Sequence, residues 1–299
     1  MRHMKLTREL PLHLMLLPSV IILLIFAYFP MFGLVMAFEK YIPAKGILGS
    51  KWSGLSNFIY LISLPDSLRV LFNTVYIAFM KIVAGIVVPV TFALLLNEVG
   101  KKFFKRMIQT VIYLPYFMSW IILSGILIDI LSPSQGIINS IISSLGIKPV
   151  FFLGNANWFP YVMVISDVWK NFGFGTIIYL AALTGIDPTY YEASIIDGAG
   201  RWKQTLYVTL PGIMPIVVLM MTLSLGDVLN AGFDQIFNMY SPAVYSSGDV
   251  IDTFIYRIGM KEGQFGVATA AGFFRSVVSF VFVTLSYRFA DKWAGYRIF

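Results

Sequence analysis

Long apolar runs separated by short polar intervals dominate the chain. Six runs, Leu14–Phe38, Val70–Asn97, Met107–Leu131, Pro160–Leu183, Gly212–Tyr240 and Val267–Ala290, can be read along it. Each reaches the ~20 residues with which a helix crosses a hydrocarbon core of about 30 Å. The first holds no charge between Arg8 and Glu39, and the second is interrupted by Lys81. The first is also too long for a signal-peptide core and has no A-x-A-like site after it, so it is expected to stay in place. Two intervals carry helical periodicity of their own. In Gly136–Ile147, Ile137, Ile138, Ile141, Ile142 and Leu145 share one side, with Asn139, Ser140, Ser143 and Ser144 opposite. Asp249–Ile258 repeats the pattern with Asp249 as N-cap. Both are expected to be amphipathic helices on the outer interface. The pattern predicts an all-α membrane protein with six transmembrane helices and a single domain over 1–299.

Composition agrees: 58% of residues are hydrophobic and 12% charged, against about a quarter charged in soluble domains. The lack of Cys removes disulfide, thiolate and Cys–zinc chemistry. Both histidines, His3 and His13, precede the first run, which argues against a His-centred catalytic or metal site. The net charge of +7 lies mostly in short loops, as topology determinants do, and does not suggest nucleic acid. With the N-terminus inside, the inner segments hold twelve cations: Arg2, Lys5, Arg8, Lys101, Lys102, Lys105, Arg106, Arg201, Lys203, Arg288, Lys292 and Arg297. The outer segments hold seven: Lys40, Lys45, Lys51, Arg69, Lys148, Arg257 and Lys261. Both termini are therefore expected in the cytoplasm.

Segment 187–211, between the fourth and fifth runs, is polar and broken by glycine. Asp187-Pro188 is a helix start, with Asp as N-cap and Pro in the first turn. Thr189–Asp197 is helical in pattern, and Gly198 supplies a left-handed end. A second amphipathic stretch, Arg201–Leu210, leads to Pro211 and Pro215 at the start of the fifth span. A docked partner and an ordinary interfacial loop both fit this pattern.

Charged and polar residues inside spans form a second set. At the bilayer centre each costs about 2.5–3.5 kcal/mol on insertion scales, so they are expected to avoid lipid. Asp227, Asn230 and Asp234 fall three and four apart and are expected on one face of the fifth helix as a stripe of hydrogen-bonding groups. Tyr116, Trp169, Asn171 and Gly173 complete the substrate-pathway candidates. Lys170 and Arg275 either serve an anionic ligand or neutralise an acid such as Asp167.

Glu192, Ala193, Gly198, Leu210 and Pro211 match the EAA---G---------I-LP signature. Ser194 takes the place of the third-position Ala, and Val208 that of the Ile. The run resembles the cytoplasmic coupling motif of ATP-binding-cassette importer permeases. PLHLMLLPSVIILLIFAYFPMFG, LPYFMSW, VWKNFGFGTIIYLAAL and DTFIYRIGMKEGQFGVATAAGFF extend the likeness to the LplB-type carbohydrate branch. The resemblance implies a type I importer fold in a bacterial cytoplasmic membrane, with Glu192, Ala193, Ser194, Asp197, Gly198, Ala199 and Pro211 as coupling residues. It implies as partners a second homologous permease subunit, two ATPase subunits carrying ATP and Mg, an extracytoplasmic solute-binding protein, a carbohydrate and membrane lipid. The chain holds no G-x-x-x-x-G-K-[ST] loop, so it is not expected to be an enzyme or to bind a cofactor itself. The alternative is an ion-coupled secondary sugar transporter using the intramembrane Asp residues as relays; no internal repeat supports it.

Overall fold

The computed structural model describes residues 2–226 and 228–294, with side chains from Leu10 to Arg288. Contacts group the chain into two units: Met1–Leu64 with Ile255–Phe274, and Pro65–Phe254 with Arg275–Phe299.

The first unit opens with α1, which begins at Arg2 and stays helical to Phe38. Its middle widens into a π turn, Leu24–Tyr28, closed by the Phe29 N–H on the Leu24 carbonyl. Pro30 follows directly, and a ring without an N–H is a common reason for such widening. Strands β1 (Glu39–Lys40) and β2 (Lys51–Trp52) pair antiparallel, Glu39 opposite Trp52 and Lys40 opposite Lys51. Helix α2 (Ser56–Ser63) presents Asn57, whose amide donates to the Ala37 and Glu39 carbonyls at 2.9 Å each. That side chain satisfies the orphan carbonyls where α1 ends.

The second unit is built on α3 (Ser67–Glu98) and α7 (Phe159–Thr184), packed along their length. Gly175 admits the Pro89 ring, so the two backbones approach closely. Between them in sequence come α4 (Lys102–Tyr113), α5 (Trp120–Ile130) and α6 (Ile137–Ser144). After α7 follow α8 (Pro188–Ile196), α9 (Arg201–Gly226) and α10 (Phe233–Met239). Helix α11 (Ile251–Tyr256) and helix α12 (Phe265–Ala294) cross from one unit's residues into the other's. Ile77, Phe159, Met163, Ile236, Val244 and Val250 form one core cluster; Ala93, Tyr179, Leu183 and Ile213 form another.

Among the described residues, Leu10–Phe38, Ser67–Glu98, Arg201–Gly226 and Phe265–Arg288 are long and apolar enough to cross a membrane. The most apolar stretches of these helices are only 6–28% buried, so their aliphatic and aromatic side chains point outward. A water-soluble fold turns such residues inward. The chain is a multi-pass membrane protein. Helix α7 lies outside that set: it carries Asp167 and Lys170, and much of it is packed against protein.

Several sequence expectations are corrected. The third run is not straight: α4 continues as a 3₁₀ turn, Leu114–Phe117, and the pair α4 and α5 bends by 104°. Ser119 caps α5 by accepting from the Ile122 N–H. The fifth run stops at Gly226, and α10 is a separate helix entered through Gly232 at φ +91°. Asp227 lies outside the described residues. Asn230 is in the turn and Asp234 opens α10, so the expected polar stripe on one helical face does not form. Arg201–Leu210 is not a separate stretch but the first part of α9. Helix α11 is not an interfacial helix, because Val250, Ile251 and Phe254 are buried. Asp249 there accepts the Thr253 hydroxyl at 2.7 Å. Helix α6 forms as expected but buries Asn139, which donates to the Leu131, Ser132 and Val150 carbonyls and accepts the Val150 N–H. Ile137, Ile141 and Leu145 stay exposed.

Candidate coupling elbow and transport cleft

Local signals set the elbow. The Asp187 carboxylate accepts the Thr189 N–H at 2.9 Å, starting α8. That bond holds the Asp187 carboxyl below the usual carboxylate range. Gly198 ends the helix at φ +76°. The Gly198 N–H reaches the Ile195 carbonyl and the Ala199 N–H the Ser194 carbonyl, which satisfies the last turn. Gly200 then starts α9 in a new direction.

Helix α8 has no buried residue. Ile195 and Ile196 are 62% and 86% exposed, and Trp202 stands out at the head of α9. Glu192, Ala193, Asp197 and Gly198 are exposed, with Ser194 and Ala199 half-buried. Two contacts tie the elbow down: Tyr191 to Thr209 at 3.1 Å, and Arg201 to Glu98 at 3.0 Å. Pro211 explains the π turn Thr205–Thr209, closed by the Leu210 N–H on the Thr205 carbonyl.

A cleft of about 420 Å³ lies among α3, α7, α9 and the 228–232 turn. Lys81, Asp167, Asn171, Ser224, Asn230 and Gly85 line it with other residues. Lys81 Nζ sits 3.5 Å from Asp167 Oδ1 and donates to the Ala231 carbonyl at 2.7 Å and to Gln235 Oε1. Two of the three ammonium hydrogens are held in hydrogen bonds, and the ion pair with Asp167 balances the charge. The Gln235 amide donates onward to the Met163 carbonyl and Ser166 Oγ, both at 2.8 Å. This buried network pins the broken fifth run against α3 and α7. A Cβ at Gly232 would stand 3.0 Å from Lys81 Nζ, so glycine keeps the turn close. Pro89 withdraws the N–H that the Gly85 carbonyl would otherwise accept, and Gly85 faces the cleft. The wall thus offers amide, hydroxyl, carboxylate and carbonyl groups.

Of the pathway residues expected from sequence, the cleft brings together Asn171 and Asn230. Tyr116 stacks on Phe174 at 4.3 Å beside the bend. Trp169, partly exposed, is two residues from Asn171 and so on another side of α7. Gly173 is a packing residue: a Cβ there would meet the Ile112 carbonyl oxygen at 2.1 Å. Asp234 is exposed outside the cleft lining, and its neighbour Gln235 is the buried one. Sequence reasoning missed Gln235 and Ser166; an amide directly before Ile236 and Phe237 was the available signal.

The two cations left open are both engaged. Lys170 donates to the Tyr116 and Met118 carbonyls at 2.8 and 2.6 Å and lies 5.6 Å from the Trp120 ring centroid. It clamps the bend between α4 and α5. Arg275 pairs with Asp252, whose carboxyl burial pushes up and the guanidinium pulls back.

Outward-facing apolar helices, a polar cleft among them and an exposed helical elbow define a membrane permease. Residues 85–294 match the binding-protein-dependent transport system inner membrane component family, and the chain belongs to it. It is 40% identical over 295 residues to the polygalacturonan/rhamnogalacturonan transport system permease protein YteP of Bacillus subtilis (strain 168), covering 99% of this chain and 92% of that one. Protein LplB of the same organism is 39% identical over 278 residues, covering 93% and 87%. A solved bacterial alginate ABC transporter, in complex with alginate pentasaccharide-bound periplasmic protein, contains a chain that superposes with a TM-score of 0.89 at 37% identity, covering 96% of each. A second structure, of a bacterial ABC transporter involved in import of the acidic polysaccharide alginate, gives 0.90 at 37%, covering 98% and 99%. Membership of this family weighs against the ion-coupled carrier.

Proposed function

We propose that the chain is one of two permease subunits of an ATP-driven importer in the bacterial cytoplasmic membrane, moving oligosaccharides, acidic ones included, from an extracytoplasmic binding protein. Six membrane crossings follow if the bent pair α4 and α5 counts as one and α7 as another. Both termini then lie inside with the elbow, as the cation distribution favours. Relatives named for polygalacturonan and alginate support the substrate class.

The observation that carries the reading is the elbow. Helix α8 is capped at both ends, yet buries none of its residues. A second permease completes the pathway, and two ATPase subunits bind ATP and Mg and grip Glu192, Ala193, Ser194, Asp197, Gly198 and Ala199. Their closure drags α9 through the Pro211 turn. Nucleotide and loaded binding protein drive transport only by favouring one conformation differentially. Substrate passes the wall formed by Asn171, Asn230, Ser224 and the Gly85 carbonyl.

Glu192→Lys with Gly198→Asp tests the grip. The variant is expected to insert normally but lose ATPase association and coupled uptake in reconstituted vesicles. Full coupling at equal expression would overturn the assignment.

A further inference from the structure

The first half of α4 carries a groove outside the elbow and the cleft. Phe103, Met107 and Val111 line it at a spacing of four, with Arg106 and Thr110 alongside, around about 310 Å³. Phe103 and Val111 are 83% and 64% exposed, and the apolar stripe continues through Leu114 and Phe117. At its start stand four cations in six residues, Lys101, Lys102, Lys105 and Arg106. Among the described residues no ion pair engages any of them. The first turn of α4 holds no acid and no side-chain cap, so its leading N–H groups face the same end. The Thr110 hydroxyl is occupied by the Arg106 carbonyl at 3.0 Å and adds no competing donor to the groove.

The polarity is one-sided: positive charge at one end, then an apolar track of about 20 Å along the helix. A free anion would use only the end, and an apolar protein helix only the track. An amphiphile with an anionic head uses both. We propose that this groove binds an anionic glycerophospholipid, its phosphate on Lys102, Lys105 and Arg106 and one acyl chain along Phe103, Met107 and Val111. Such a lipid braces α4 from outside, at the helix whose far end Lys170 clamps.

Native mass spectrometry of the full chain tests this, after delipidation in mild detergent and titration with phosphatidylglycerol or phosphatidylcholine. One phosphatidylglycerol is expected to be retained per chain in preference to phosphatidylcholine. Lys102→Gln with Lys105→Gln and Arg106→Gln is expected to lower that retention by at least about tenfold, at an unchanged unfolding temperature. Phe103→Ser with Val111→Ser should weaken long-chain phosphatidylglycerol while leaving a dihexanoyl analogue unaffected. Equal retention of the two headgroups, unchanged retention by the cation variant, or a protein subunit seated in the groove of an assembled complex would each overturn the proposal.

Discussion

Lys81 and Lys170 lie within long helices, and each spends its ammonium on holding the chain together. Removing one partner of a buried pair leaves a charge uncompensated and costs about 3–5 kcal/mol, so Lys81→Met is expected to destabilise on that scale. Combining it with Asp167→Leu should cost less than the two single changes summed, as read by thermal unfolding in detergent; simple additivity would contradict the pairing. Lys170→Met strands carbonyls at the bend, at about 1–3 kcal/mol for each unsatisfied group. Uptake of neutral and anionic sugars should then fall in parallel. A loss confined to anionic sugars would return Lys170 to the substrate path. Gly173→Ala forces α4 away from α7 and is expected to cost about 1–3 kcal/mol, as overpacking does. Gly125→Ala, where a Cβ meets nothing within 4 Å, serves as the unaffected comparison.

Among the elements, α8 was the most legible from sequence because its determinants are local. Asp187 caps it, Pro188 fits its first turn and Gly198 takes the left-handed angle that ends it. The bend before Trp120 and the break after Gly226 were not legible, because mean apolarity runs straight through both. What supports them acts at a distance: Lys170 reaches the Tyr116 carbonyl across 54 positions, and Lys81 reaches the Ala231 carbonyl across 150. Two outcomes are expected at this scale. Asp187→Ala should lower hydrogen-exchange protection at the start of α8, whereas Asp187→Ser should retain it. Because folding depresses the Asp187 carboxyl, its contribution is present above the unfolded value near about pH 4 and lost as pH falls through the folded one. Pro211→Ala restores an N–H to the Tyr207 carbonyl and lets the π turn tighten. Losing one residue from a wide turn rotates what precedes it by about 100°, so coupled uptake should drop while membrane insertion persists.

For the molecule as a whole, the apolar runs and the elbow were readable, whereas the cleft emerged only once distant segments were assembled. The natural absence of Cys makes orientation directly measurable. Lys203→Cys should react with a membrane-impermeant maleimide only in inside-out vesicles, and Lys148→Cys only in right-side-out ones; the reverse would invert the topology. A larger consequence follows from the ion pair and the hydrogen bonds that hold the Lys81 ammonium. If the cleft carries the proposed substrate, a uronate passing this wall meets dipoles, while Lys81 among the lining residues is already paired with a carboxylate. On the proposed reading, compensation for such a sugar's negative charge would then fall to the companion subunit. Exchanging that companion for one from a neutral-sugar system, with this chain untouched, should switch which cargo crosses according to its ionisation.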